Sequence, residues 1–267
     1  MSKLRLSAQI DRSLFAETDL CDTPLPRPED WWLLTETEGF DKNQNIIFVA
    51  DTDEFCNFNL LKSEDAWRLL GLDEKRKNVL SWEVQLFTQK NPFAWLETFL
   101  TWNKTLKCQD LNNLPKILSE LDPFISKYPV YHEFEFQLKS MAIEITSNAL
   151  IHGSQKDLFP VEIGFGSCGP ALFFSCKDGA GLLTKSHIIE RWTRAKKLGV
   201  SPKNIAKKHG GGVGLYQALQ YVDIFLHLQI PGKLSQIMGV FFIEKRMLFH
   251  ETTPRSMIFQ CDTKGEK

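Results

Sequence analysis

The sequence predicts an α/β protein whose C-terminal half is a two-layer α+β sandwich, with helices on one face of a mixed sheet, joined to an N-terminal α/β region of undefined fold. Three observations carry this. Leu114, Ile117, Leu118, Leu121 and Ile125 recur at helical spacing, and Phe134, Leu138, Met141, Ala142, Ile145 and Ala149 repeat the pattern as far as Gly153, where a helix can end. Val161, Ile163 and Phe165 alternate, and Ser167-Cys168-Gly169-Pro170 supplies turn chemistry before an apolar return strand over 171–176. Two further apolar runs, 224–230 and 237–243, flank the turn pair Pro231-Gly232. Helices gathered on one side of hairpin-connected strands bury their apolar stripes in a two-layer arrangement.

In chain order, Pro24-Leu25-Pro26-Arg27-Pro28 cannot continue a helix, so residues 1–30 read as an arm and linker. Residues 31–108 read as a docking or regulatory region, with a short buried strand over 46–50, a helix starting in 63–70, a second strand over 84–87 and an aromatic-rich helix over 92–102. Six of the seven tryptophans lie at or before Trp102; large aromatics are usually buried, so core packing is the plainer expectation and a partner face the sharper one. Residues 109–250 hold the sandwich, including a charged, strandless stretch over 184–209, a glycine cluster and a helix over 213–221. Residues 251–267 read as a tail.

Bulk chemistry bounds the function. With 267 residues the chain can bury one large core or two modest ones. A formal net charge of -1 supplies no field that would gather nucleic acid or a membrane, so any charged ligand is held locally. The six cysteines are scattered, without a C-x-x-C pair or histidines at zinc-ligand spacing, which points to reduced thiols. A charge precedes any apolar run at the start, and no later stretch approaches about 18 apolar residues, so a cytoplasmic protein is expected.

Three motifs carry chemistry. Glu144, Asn148 and His152 stand at i, i+4 and i+8 and form a polar stripe beside the apolar face of the second helix. Asp178 follows the return strand and opens Asp178-Gly179-Ala180-Gly181, where a carboxylate can accept a hydrogen bond from an exocyclic amine and glycines let a flat ring approach the backbone. Gly210-Gly211-Gly212-Val213-Gly214-Leu215 runs into a helix, and the free N–H groups of a helix start hold phosphate. Taken singly, these are also what a solvated helix flank, a plain turn and a flexible loop look like. No G-x-x-x-x-G-K-[ST] is present, and the glycines follow Lys207-Lys208-His209 instead of a strand, which excludes a P-loop and argues against a dinucleotide fingerprint.

Together, and in this order, the motifs resemble those of the GHKL (histidine-kinase-like) ATPases. The run Glu144-Ile-Thr-Ser-Asn148-Ala-Leu-Ile-His152-Gly153 resembles the N-box, Asp178-Gly-Ala-Gly181 the first glycine box and Gly210-x-Gly212-x-Gly214-Leu215 the second. The His-Gly ending of the first is most similar to the anti-sigma-factor serine kinases. The resemblance covers about half the chain and implies ATP and Mg²⁺ as cofactors. It implies Glu144 as general base, Asn148 as Mg²⁺ ligand, Asp178 as adenine reader, and His152, Gly179, Gly181, Gly210, Gly212, Val213, Gly214 and Leu215 as nucleotide-binding positions. Residues 184–209 would be an ATP lid, with Arg191 and Arg194 among the cations that could reach a γ-phosphate. The sequence departs from the family at two places: the first glycine box is one residue short between Asp178 and Gly179, and Ser235 stands where a threonine is usual beside the last strands.

Three activities are compatible with these residues. One is a serine/threonine protein kinase of the partner-switching type, acting on an anti-anti-sigma, sigma-like or response-regulator-like protein, with neither nucleic acid nor membrane as partner and a homodimer allowed. A second is an ATPase feeding a two-component phosphorelay, although His132, the only upstream candidate phosphoacceptor, reads as a helix-start residue without a dimerising hairpin. The third is a nucleotide-sensing scaffold without chemistry.

Overall fold

A computed structural model describes residues 4–6, 31–34, 45–50, 67–71, 77–128, 132–153, 158–198, 221–243 and 256–261. Among the described residues ten strands form one sheet: β1 (Leu4–Leu6), β2 (Trp31–Leu34), β3 (Asn45–Ala50), β4 (Trp67–Gly71), β5 (Leu100–Leu106), β6 (Val161–Cys168), β7 (Ala171–Asp178), β8 (Ile224–Ile230), β9 (Leu234–Phe242) and β10 (Ser256–Cys261). Their order across the sheet is β1-β2-β3-β4-β10-β8-β9-β7-β6-β5. Strands β1 to β4 pair in parallel, β10 lies antiparallel to β4 and parallel to β8, and every later pair is antiparallel. The fold is therefore α/β with a mixed sheet.

Strand β7 is buried along both faces, which is why Ala-Leu-Phe-Phe-Ser-Cys reads as a continuous apolar run instead of an alternation. Leu172, Phe174 and Cys176 face one core, which also contains Leu114, Leu121, Leu138, Met141 and Ile145. Those residues belong to α3 (Leu114–Leu118), the short turn after it and α5 (His132–Asn148), the helices expected on one face of the sheet. Ala171 and Phe173 face the other core, covered by α1 (Lys77–Phe87) and α2 (Pro92–Glu97) through Val79, Leu80, Val84, Phe87, Phe93 and Leu96. The core thus continues across the boundary expected near residue 108, and β5 pairs directly with β6.

Several local expectations are corrected. Residues 84–87, expected as a strand, close helix α1: Asn78, Ser81 and Gln85 are exposed while Val79, Leu80, Glu83, Val84 and Phe87 are buried, a helical period that a four-residue apolar run cannot display. The helix expected over 92–102 stops at Glu97; Asn91 caps its start through Oδ1, accepting from the Ala94 amide at 3.0 Å, and Leu100 turns into β5. Residues 67–71 are strand, not helix, because they complete the sheet between β3 and β10. The first helix of the sandwich is broken into α3, a 3-10 turn over Ser119–Leu121 and α4 (Asp122–Ile125), since Pro123 cannot donate to the carbonyl four residues back. Its apolar face is nevertheless the expected one, Leu114, Ile117, Leu118, Leu121 and Ile125 all being buried.

Residues 256–261, expected within a tail, form β10 in the middle of the sheet, with Met257, Ile258 and Phe259 buried. Residues 4–6, expected within an arm, pair with β2 at the sheet edge. Within the stretch expected to be an open loop, α6 (Lys185–Leu198) is helical, and residues 199–209 lie outside the described residues. His132 begins α5, as its reading as a helix-start residue expects. Trp82 and Trp95 pack against each other and onto the α1–α2 core, Trp82 edge-on to Phe242 at 5.5 Å, so for these two the packing reading holds. No helix among the described residues is long and apolar enough to cross a membrane.

Candidate functional site

The sheet face that carries α5 turns polar at one end. Asp178 closes β7 opposite Ser235 of β9, and Ser235 lies opposite Gln229 of β8. One row deeper are Cys176, Ile237 and His227. Side chains alternate along a strand, so both rows project toward α5. Above them α5 ends in a π-turn, Ala149–Gly153, a wide turn that recurs at functional sites.

Between these layers lies a cavity of about 230 Å³. Asn148 and His152 line it from the helix end, Asp178 and Ser235 from the strands, and His187 and Arg191 from α6. Ile145, Ala149, Cys176, Ile237, Leu182 and Leu183 give it apolar walls. A buried carboxylate in a largely apolar slot, with the Arg191 guanidinium toward α6, suits a ligand that has a flat apolar body, a hydrogen-bond donor at one end and negative charge at the other.

Asp178 is held from three directions. The Ala180 and Gly181 amides donate to Oδ1 at 3.0 and 3.3 Å, and the Ser235 hydroxyl adds a third donor. Burial raises its pKa above the ordinary Asp value, and these three donors oppose that rise. A carboxylate offers about four acceptor directions, so capacity remains for a donor from a ligand. Gly153 is required at the floor: a Cβ there would stand 2.5 Å from the Asp178 carboxyl carbon. Cys176, fully buried below Asp178, has its thiol pushed up by burial and then by the Asp178 charge, so it lines the cavity as an inert hydrophobe.

The glycine loop after β7 is packed against its neighbours. Gly181 has φ +62°, in the left-handed region, and a side chain there would meet the Ile230 carbonyl and the Gly232 and Lys233 amides within 2.8 Å. A side chain on Gly179 would strike Phe159. These two glycines therefore serve backbone packing and do not themselves line the cavity, which refines the expectation that they admit a ring.

Of the residues singled out in the sequence, Asn148, His152 and Asp178 converge on one cavity, joined by Arg191 and by Ser235. Glu144, one turn before Asn148, is half-buried with its carboxyl raised by that burial, and it does not line the described cavity. Gly210, Gly212, Val213, Gly214 and Leu215 lie outside the described residues, as does Arg194's side chain. Sequence reasoning missed His187, His227 and Gln229. For the last two a signal existed: they are polar and alternate with Leu226 and Leu228 in a strand buried on both sides. No family model matches the sequence, and no curated protein is similar to it.

Proposed function

We propose that this chain binds ATP with Mg²⁺ in the cavity between α5 and the β7–β9 edge, and that it is a cytoplasmic partner-switching serine/threonine kinase of the anti-sigma-factor type. The observation that carries the reading is the joint placement of Asn148, His152 and Asp178, from motifs about thirty residues apart in the chain, around one slot. The donor set fits the nucleotide. Asp178 can accept from an exocyclic amine, and Ile145, Ala149, Ile237 and Leu183 supply apolar walls against which a ring can pack. Asn148 offers a neutral oxygen of the kind a hard cation takes, and His187 and Arg191, one turn apart on α6, can meet phosphate charge.

Bound MgATP supplies a phosphoryl group for transfer. The Glu144 carboxylate, raised by burial toward the working pH, is suited to take the proton of an attacking hydroxyl. Asp178 and the loop that donates to it fix the base, and Arg191 brings positive charge to where negative charge must be balanced, with His187 beside it as a hydrogen-bonding group. The acceptor would be a small regulatory protein. A scaffold that binds nucleotide without chemistry is the second reading, favoured by the absence of Glu144 from the cavity lining.

Calorimetric titration with Mg-ATP, ADP and GTP, with phosphate release followed in the same samples, tests both. Binding with preference for adenine and slow turnover supports the kinase; binding alone supports the scaffold. No heat with any of the three nucleotides overturns both readings.

A further inference from the structure

The loop from Asp178 to Thr184 is held by side chains, not by the sheet ladder. The Ala180 and Gly181 amides go to Asp178. The Gly181 carbonyl accepts from Gln229 Nε2 at 3.1 Å, the Leu183 amide donates to Ser235 Oγ at 3.2 Å, and the Leu183 carbonyl faces His227 Nε2 at 3.0 Å. Because a carbonyl only accepts, the His227 ring carries its proton on Nε2. Strand β8 thus reaches over β9 to grip the backbone on both sides of Leu182, which is half exposed and, with Leu183, forms one wall of the cavity.

We infer that His227 and Gln229 are positioning residues for the candidate site: by holding the Leu183 and Gly181 carbonyls they fix the glycine loop where its amides meet Asp178 and its leucines close the cavity. Three features support a built device. His227 is 1 % exposed, and its ring packs edge-on to Phe259 at 5.8 Å, which holds it in a close-packed place. Burial pushes its pKa down to about 4, keeping it neutral and donating through the physiological range. Gly181, bent into the left-handed region, presses the loop onto the β8–β9 turn, which brings its carbonyl within reach of Gln229.

The identity of the ligand rests on the adenine-nucleotide reading; the restraint of the loop does not. The test therefore has two arms, both on the full chain. Amide hydrogen exchange without ligand is measured for wild type, His227→Phe, His227→Gln and Gln229→Leu, and the Kd for Mg-ATP is measured on the same four proteins. His227→Phe fills the space without a donor, whereas His227→Gln restores an N–H at similar reach.

The expected result is exchange at Ala180, Gly181 and Leu183 faster by about tenfold or more in His227→Phe and Gln229→Leu, with the β7 and β9 ladder amides unchanged. Mg-ATP binding should weaken about fivefold to tenfold in both, the scale of one lost hydrogen bond, and His227→Gln should recover both readouts. Should His227→Phe fail to fold, Gln229→Leu carries both arms. Unchanged loop exchange overturns the restraint, and altered exchange with an unchanged Kd in a wild type that binds overturns its positioning role. If wild type does not bind Mg-ATP, the nucleotide reading fails and the exchange arm alone decides the restraint.

Discussion

Replacing Gly153 by alanine tests whether the cavity floor is closed as tightly as described. A methyl at that position would stand 2.5 Å from the Asp178 carboxyl carbon and 2.8 Å from Oδ1, whereas ordinary contact begins near 3.4 Å. The carboxylate must retreat by about 1 Å to relieve this. It is held by the Ala180 and Gly181 amides at 3.0 and 3.3 Å, so a shift of that size takes at least one of them out of hydrogen-bonding range. A hydrogen bond to a charged group is worth about 1.5–3 kcal/mol net, and overpacking a filled site costs about 1–3 kcal/mol. Since yielding one bond relieves the other strain, these are alternatives rather than a sum, and the loss of stability should be roughly 1–3 kcal/mol before the gain that alanine brings through the unfolded chain. Gly153 is not among the glycines with positive φ. Without the contact to Asp178, alanine should therefore stabilise by about 0.4–1 kcal/mol through the unfolded chain. The two accounts predict opposite signs. Urea denaturation of Gly153→Ala reads the sign, and Mg-ATP titration reads the site; a raised midpoint with unaltered binding would refute the described floor.

Asp178→Asn should separate stability from binding. Burial raises the Asp178 pKa, so its charge costs stability as pH rises through the folded value; the variant should match or exceed wild type at pH near 8, the gap closing below the ordinary 3.8, while adenine nucleotides lose affinity more than GTP. Equal loss of ATP and GTP would show that Asp178 does not read the base. Glu144→Gln should slow turnover by about 10² or more with nucleotide affinity changed only a few-fold, and should abolish an acid limb lying above the ordinary 4.5. Unchanged turnover would remove Glu144 as the base. Removing charge at α6 with Arg191→Ala should weaken ATP more than adenosine; equal loss would place Arg191 outside phosphate contact.

What could be read from the sequence followed the strength of local periodicity. The face of α5 and the β6–β7 hairpin repeat their patterns over enough residues to fix the period, and both stand as expected. Val84-Gln85-Leu86-Phe87 is too short to distinguish a strand from the end of a helix, and only the exposure of Asn78, Ser81 and Gln85 in the folded chain selects the helix. Strand β10 eluded the reading for a different reason. Its partners, β4 and β8, lie far away in sequence, and nothing local marks Met257-Ile258-Phe259 as central in a sheet instead of an apolar tail segment.

The site shows the same division between local and distant. Asn148 and His152 are one helical turn apart, and Asp178 ends a strand whose start is marked by Gly169-Pro170, so each could be placed by its own segment. The residues that hold the loop could not. His227 and Gln229 act on backbone carbonyls more than forty positions away, and their targets have no side-chain signature because any residue carries a carbonyl. Only their position could mark them, as a buried histidine and a partly buried glutamine on the core-facing side of a strand, where a buried unpaired donor would cost about 1–3 kcal/mol. A buried polar side chain in an apolar strand therefore implies a partner, and here the partners are the Leu183 and Gly181 carbonyls of the loop that follows β7. The glycine-rich loop and those two polar side chains are legible separately; the sheet register, which places β8 beside β9 and β9 beside β7, makes them one arrangement.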